Sequence, residues 1–241
     1  IWGLQVTLAK CIGMFAIALF DSENETLTLI RDRMGEKPLY YGWVNENFVF
    51  ASEIKSLQSF PLFSNKINRN ALALYMQHAA IPEPYSIYES IFKLEVGSLL
   101  TFDLKNKSIE KNKYWSTIAL ANTKQESLHV ETPNQAVSQL EELLFNAVGQ
   151  QMQADVPLGA FLSGGVDSST IVAIMQAQSK TKINTFSIGF DQKEYNEAIH
   201  AKKVASHIGT NHHEAYISSK ELLDIVPQIP KIYSEPFSES S

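Results

Sequence analysis

Phe161-Leu162-Ser163-Gly164-Gly165-Val166-Asp167-Ser168-Ser169 is the stretch that decides how this chain is read. Upstream of it, residues 156–162 have the length and apolarity of a buried strand, and residues 168–178 keep helical spacing. The loop therefore lies between the carboxyl end of a strand and the start of a helix, where parallel α/β sheets bind their ligands. Gly164 and Gly165 let backbone approach a ligand with no Cβ in the way. The free N–H groups that open a helix, with the positive end of its dipole, favour an anion. Ser163, Ser168 and Ser169 add hydroxyl donors. Asp167 is a poor partner for phosphate alone, but it fits if a divalent cation accompanies the phosphates, since Mg2+ takes hard oxygen ligands. The loop is not G-x-x-x-x-G-K-[ST], because no lysine follows the glycines. The dinucleotide fingerprint is also absent, for want of a third glycine and a later acidic ribose ligand.

The surroundings of the loop alternate helix and strand. Thr132-Pro133-Asn134-Gln135 has the form of a capping box with proline at the first helical position, and Val137, Leu140, Leu144, Ala147 and Val148 then keep helical spacing. Residues 183–190 read as a second strand. Residues 197–208 read as a helix with Ala198, Ala201, Val204, Ala205 and Ile208 on one face, stopped by Gly209. Residues 213–217 read as a third strand, and Ser218 to Glu221 repeats the capping-box pattern. This alternation predicts a parallel sheet with helices on both faces. The first part of the chain has another texture: short apolar runs at 13–20, 26–30, 39–43 and 48–51, broken by polar turns, indicate antiparallel hairpins. Asn68 is a candidate N-cap for a helix over 69–79 that ends before Pro82, and residues 99–102 suggest a last strand. Residues 119–134 are polar and aperiodic and read as a linker, which sets the expected division at 1–118 and 135–241.

The composition narrows the function. Of 241 residues, 44% are hydrophobic and 19% charged, which excludes a wholly disordered chain. The net charge of -6 argues against a broad basic surface for nucleic acid. No apolar run reaches the roughly 20 residues that span a bilayer, so no membrane role is expected. Cys11 is the single cysteine, so an internal disulfide is impossible and a reducing, cytoplasmic location is expected. Cys11 itself reads as a buried structural thiol at a helix-to-strand junction. Both ends read as internal to a longer protein. Arg31, Arg33, Glu36 and Lys37 read as a surface ion-pair cluster, and His212 and His213 as neighbours on opposite faces of a strand that cannot easily share a metal.

Ser163–Ser169 resembles the pyrophosphate-binding loop of the N-type ATP pyrophosphatases. The rest of the chain selects a member. Gly13-Met14-Phe15-Ala16, Arg31-Asp32-Arg33-Met34-Gly35-Glu36-Lys37-Pro38-Leu39-Tyr40-Tyr41 and Phe50-Ala51-Ser52-Glu53-Ile54-Lys55 resemble glutamine-hydrolysing asparagine synthetase, the B type. So do Thr185-Phe186-Ser187-Ile188-Gly189-Phe190, Gly209-Thr210 with His212-His213-Glu214, and Ser234-Glu235-Pro236-Phe237-Ser238-Glu239-Ser240-Ser241, where Glu239 replaces the usual aspartate. The resemblance implies an α/β and α+β chain. Its first domain would be the later part of an αββα N-terminal-nucleophile glutaminase, and its second the start of a parallel-sheet ATP pyrophosphatase domain.

The resemblance also implies the chemistry. ATP adenylylates the aspartate side chain, and ammonia from glutamine displaces AMP, giving asparagine, pyrophosphate and glutamate. ATP and Mg2+ are the implied cofactors; glutamine and aspartate are the implied substrates; a homodimer is the implied assembly. Ser163, Gly164, Gly165, Asp167, Ser168 and Ser169 would bind the β,γ-phosphates, with Asp167 near Mg2+, and Leu162 and Ile188 would contact the adenosine through their backbone. Glu235 and Ser240 are candidates for the acceptor or domain-interface region. The nucleophilic cysteine and an essential later glutamate of the family are expected outside this sequence, so no catalytic residue is assigned. The alternatives are an amidotransferase that acts on another carboxylate, such as a sugar uronic acid, a relative of the β-lactam-forming synthetases, and a nucleotide-binding paralogue without turnover.

Overall fold

The computed structural model describes residues 2–125, 132–190, 196–236 and 238. The chain divides into two compact units: residues 1–128 together with 229–241, and residues 129–228.

The first unit opens with α1 (Leu4–Lys10), β1 (Ala16–Asp21) and β2 (Thr26–Arg31), followed by the β3 (Tyr40–Val44) and β4 (Asn47–Ala51) hairpin and the short α2 (Ile54–Gln58). Next come α3 (Arg69–His78), β5 (Ile91–Lys93), β6 (Ser98–Asp103), β7 (Ser108–Lys113) and α4 (Thr117–Gln125). All pairings are antiparallel and make two sheets, β1-β2-β6-β7 and β4-β3-β5.

Neighbouring residues on a strand point to opposite faces, and the packing shows it. Leu29 and Leu100 turn inward and meet Tyr41, Phe48 and Phe92 of the other sheet. Phe48 stacks on Phe102 at 4.5 Å between ring centroids. The adjacent Ile30 and Leu99 turn outward onto Leu8 of α1, while Leu57 of α2 covers Val44 and Val49 on the far side of the second sheet. Asn68 caps α3 as expected: its side chain accepts from the N–H groups of Asn70 and Ala71. β7 was not anticipated, because Ser108–Lys113 is exposed throughout and carries no apolar alternation. Helix α4 occupies part of the stretch expected to be linker.

The second unit contains α5 (Pro133–Gln151), β8 (Gly159–Phe161), α6 (Val166–Gln178), β9 (Asn184–Phe190), α7 (Ala198–Ile208), β10 (Asn211–Ile217) and α8 (Ser219–Ile225). Thr132 and Ser218 form the two expected capping boxes. Gly209, at φ 86°, ends α7 in the left-handed conformation. The strands are parallel in the order β10-β9-β8. Each crossover moves one strand further in the same direction, which places successive helices on the same side. Val148 of α5, Val172 and Met175 of α6, and Ala201 and Ala205 of α7 accordingly share one core with Leu162 and Ile183. The expectation of helices on both faces is therefore corrected for the described residues. Phe161, Phe186 and Ile188 are 83%, 41% and 49% exposed, so the other face is largely open.

A 3-10 turn at Val226–Gln228 continues α8, and α9 (Ile229–Ile232) leads the chain back to the first unit.

Candidate functional site

Helix α6 starts two residues before the expected position, so Val166 and Asp167 lie in its first turn and Gly165 is its N-cap. No side chain caps this end. The first intrahelical bond is Ser169 N–H to the Gly165 carbonyl, which leaves the N–H groups of Val166, Asp167 and Ser168 with no acceptor one turn back. Such groups, with the helix dipole behind them, attract an anion.

The two glycines have different tasks. Gly164 sits at φ +85°, and a Cβ there would lie 2.7 Å from the backbone nitrogen of Ala201. It is glycine because the loop presses against α7. A Cβ on Gly165 would meet only Ser163 Oγ, at 3.4 Å. That side of the loop is open.

The hydroxyls are set in order by the loop itself. Ser163 Oγ and Ser168 Oγ share a hydrogen bond at 2.9 Å, and Ser163 Oγ also accepts from Gly165 N–H at 3.3 Å. Ser169 Oγ is buried with no hydrogen-bond partner, which carries a cost unless a further group reaches it. The Asp167 side chain is exposed beside them. This donor set fits a polyphosphate with its Mg2+: hydroxyls and N–H groups for the phosphate oxygens, and one carboxylate as a hard ligand. No group of three or more metal-ligating side chains occurs among the described residues, so an ion here would depend on the phosphates for most of its ligands.

Leu162 and Ile188 sit where the sheet ends. The Leu162 side chain is 2% exposed and belongs to the core. Its N–H donates to the Phe186 carbonyl at 2.9 Å, and its carbonyl accepts from Ser187 Oγ. The expected backbone contact at Leu162 therefore has only the second lone pair of that carbonyl to offer. Ile188 lies on the open face. Ser187, which holds the strand end, was missed, because nothing local marks it.

Elsewhere the structure places the singled-out residues differently. Arg31 is buried, not at the surface: it pairs with Glu83, donates to the carbonyls of Leu94 at 2.7 Å and Gly35 at 2.9 Å, and reaches Lys37 O through Nε. Asp32, 1% exposed, accepts from the N–H groups of Phe15, Met34, Glu36 and Lys37. Burial pushes its carboxyl up, but the backbone donors around it outweigh that and hold it below 3.8. Arg33 closes the end of α1 by donating to the carbonyls of Leu8, Ala9 and Cys11. Cys11 does follow a helix, but it is half-buried and not buried.

His212 and His213 diverge. His212 Nδ1 is 2.9 Å from Thr185 Oγ1, whereas the His213 ring stacks on Phe186. Burial lowers the His212 pKa, against the opposing pull of Glu214. Glu235 is not a solvated loop residue. It pairs with Lys93 at 2.9 Å and accepts from Tyr40 OH, whose pKa is pushed up by burial and by the Glu235 charge. Ser240 and Glu239 lie outside the described residues.

Comparison with known proteins matches two successive stretches of the chain. A family model described as glutamine amidotransferase domain matches residues 1–115, and one described as asparagine synthase matches residues 139–241. A putative glutamine-hydrolysing asparagine synthetase 2 of Methanocaldococcus jannaschii is 38% identical over 232 residues, covering 95% of this chain. The chain thus joins a glutamine amidotransferase domain to an asparagine synthase domain and is similar to glutamine-hydrolysing asparagine synthetases over nearly all of its length. Asparagine synthetase 1 of Bacillus subtilis is 31% identical over 96% of this chain, and the mouse enzyme 26% identical over 94%. The chain spans 44%, 35% and 39% of the lengths of these three relatives. No helix among the described residues is long and apolar enough to cross a membrane.

Proposed function

We propose that the whole protein is a glutamine-dependent asparagine synthetase that adenylylates the aspartate side chain and amidates it with ammonia from glutamine. The observation that carries this reading is the uncapped start of α6, where three unbonded N–H groups, the paired Ser163 and Ser168 hydroxyls and the exposed Asp167 meet at the carboxyl end of a parallel strand. MgATP, when bound, supplies the adenylyl group. The work of this chain is to hold the β,γ-phosphates with Ser163, Gly165, Ser168 and the helix N–H groups, to leave Gly164 packed on α7 so that the loop stays in place, and to set Asp167 beside the cation. Ser169 would turn its orphaned hydroxyl to the same group. Ile188 would offer backbone and apolar surface to the adenosine.

The helix-sheet-sheet-helix packing of the first unit supports its reading as part of an N-terminal-nucleophile glutaminase, with the division between the two domains inside 119–134. A cytoplasmic homodimer goes with the same proposal. The name shared by the relatives favours aspartate as acceptor over a uronic acid.

The test is release of AMP and pyrophosphate from MgATP by the whole protein with ammonia supplied, with and without aspartate. Aspartate-dependent AMP, with asparagine identified by mass, is the expected result; AMP formation indifferent to aspartate would transfer the chemistry to another carboxylate. Asp167→Ala should abolish pyrophosphate release with circular dichroism unchanged, and an undiminished rate would remove Asp167 from the phosphate site.

A further inference from the structure

Residues 229–236 return to the first unit and are seated there by one carboxylate. The Glu235 side chain is 12% exposed and its Oε2 lies 2.9 Å from Lys93 Nζ, itself 16% exposed. The same oxygen accepts from Tyr40 OH at 3.2 Å, and Oε1 accepts from Ile87 N–H at 2.7 Å. Lys93 is fixed in turn by donating to the Ile81 carbonyl at 2.8 Å. Lys55 steadies the approach, its N–H on Ser234 Oγ and its Nζ on the Ile232 carbonyl at 2.9 Å. Beside this seat is a cavity of about 610 Å3 lined by Tyr40, Glu53, Ile54, His78 and Ile232 among others.

A buried ion pair is a poor device for stability alone, since apolar residues of similar volume would hold a segment as well. A carboxylate with three directed donors instead fixes one register. The seated segment follows α8 and the Val226–Gln228 turn directly in sequence, so it is a stretch of chain that joins the second unit to the first. From this we infer that Glu235 is a positioning residue: with Lys93 and Tyr40 it seats residues 229–236 beside the cavity of the amidotransferase unit, and in the working enzyme this seat ties glutamine hydrolysis to amide formation. The inference rests on the function proposed above.

The experiment uses the whole protein and the variants Glu235→Gln, Lys93→Met, Tyr40→Phe and Glu235→Asp. Two quantities are read: glutamate formed per AMP with glutamine as donor, and hydrogen exchange of the Ile87 amide, which Glu235 covers. In Glu235→Gln and Lys93→Met the ratio should rise by about twofold or more, the smallest change expected from a broken interaction between residues in contact, and Ile87 should exchange faster. AMP formation from free ammonia should persist in Lys93→Met. Tyr40→Phe, which removes one bond and keeps the fold, should give a smaller rise, and Glu235→Asp should recover part of the coupling. Unchanged Ile87 exchange would overturn the seat. Faster exchange with an unchanged ratio would make the seat structural and overturn the coupling. A parent protein that forms no AMP would overturn the functional reading and the coupling with it, while Ile87 exchange would still judge the seat.

Discussion

Asp32 shows what a single buried charge does in this chain. Its carboxylate accepts from four backbone N–H groups, so the loop over 32–37 is wound around it, and Arg31 beside it is satisfied by carbonyls and Glu83. The sequence shows only seven residues, RDRMGEK, rich in charge, and charge on average means surface. The partners that reverse this expectation are Phe15 and Glu83, distant in sequence and invisible to any local pattern. Asp32 titrates below its unfolded value of 3.8, so the stability it contributes is complete above that value and is lost as pH falls through the lower, folded one. Asp32→Asn should cost about 1–3 kcal/mol at neutral pH by turning an amide donor toward the N–H groups. It should also flatten the acid limb of the stability curve, read by denaturant melts between neutral and acid pH. An unaltered acid limb would assign that limb to other carboxylates.

Elements were legible where the signal is local and the rest where tertiary packing allowed. Asn68, Thr132 and Ser218 announce their helices because capping is decided within three residues, and all three side chains make the bonds expected of them. The placement of 162–165 between a strand and a helix was legible for the same reason. The open face of the parallel sheet was not, because which side a crossover helix takes depends on strand order and not on composition. The exposed edge strand β7 and the three-residue β5 had no apolar period to read.

At this scale the decisive position is Gly164. Replacing it by alanine forces a Cβ to within 2.7 Å of the Ala201 nitrogen at a backbone angle that L residues rarely take. Either the loop or the start of α7 must move. The expected outcome is loss of nucleotide binding with destabilisation of about 1–3 kcal/mol, measured by nucleotide titration and thermal melts together. Gly165→Ala has space, so it should leave the melt unchanged and weaken nucleotide binding alone. Equal melts for the two variants would show that α7 yields to the loop.

Across the whole molecule, the apolar residues sort into cores that respect the two units. Leu29, Leu100 and Phe102 pack with Tyr41 and Leu94, whereas Val148, Val172, Ile174 and Ile183 pack with Leu162 and Ala201, and among the described residues no buried cluster draws from both sets. A unit with its own core unfolds as its own cooperative block, so heating should give two transitions in calorimetry and not one. Leu100, fully buried between the sheets, and Ile174, at 6% exposure on α6, provide one probe each. Leu100→Ala and Ile174→Ala should each cost about 2–5 kcal/mol. Each should lower one transition by several degrees and leave the other in place. The assignment has an internal check: a ligand of the phosphate loop, such as MgATP, should raise only the transition that Ile174→Ala lowers, because mass action stabilises the unit that binds. A single transition moved by both substitutions would mean that the two cores melt as one block, and the division into units would then describe packing and not folding.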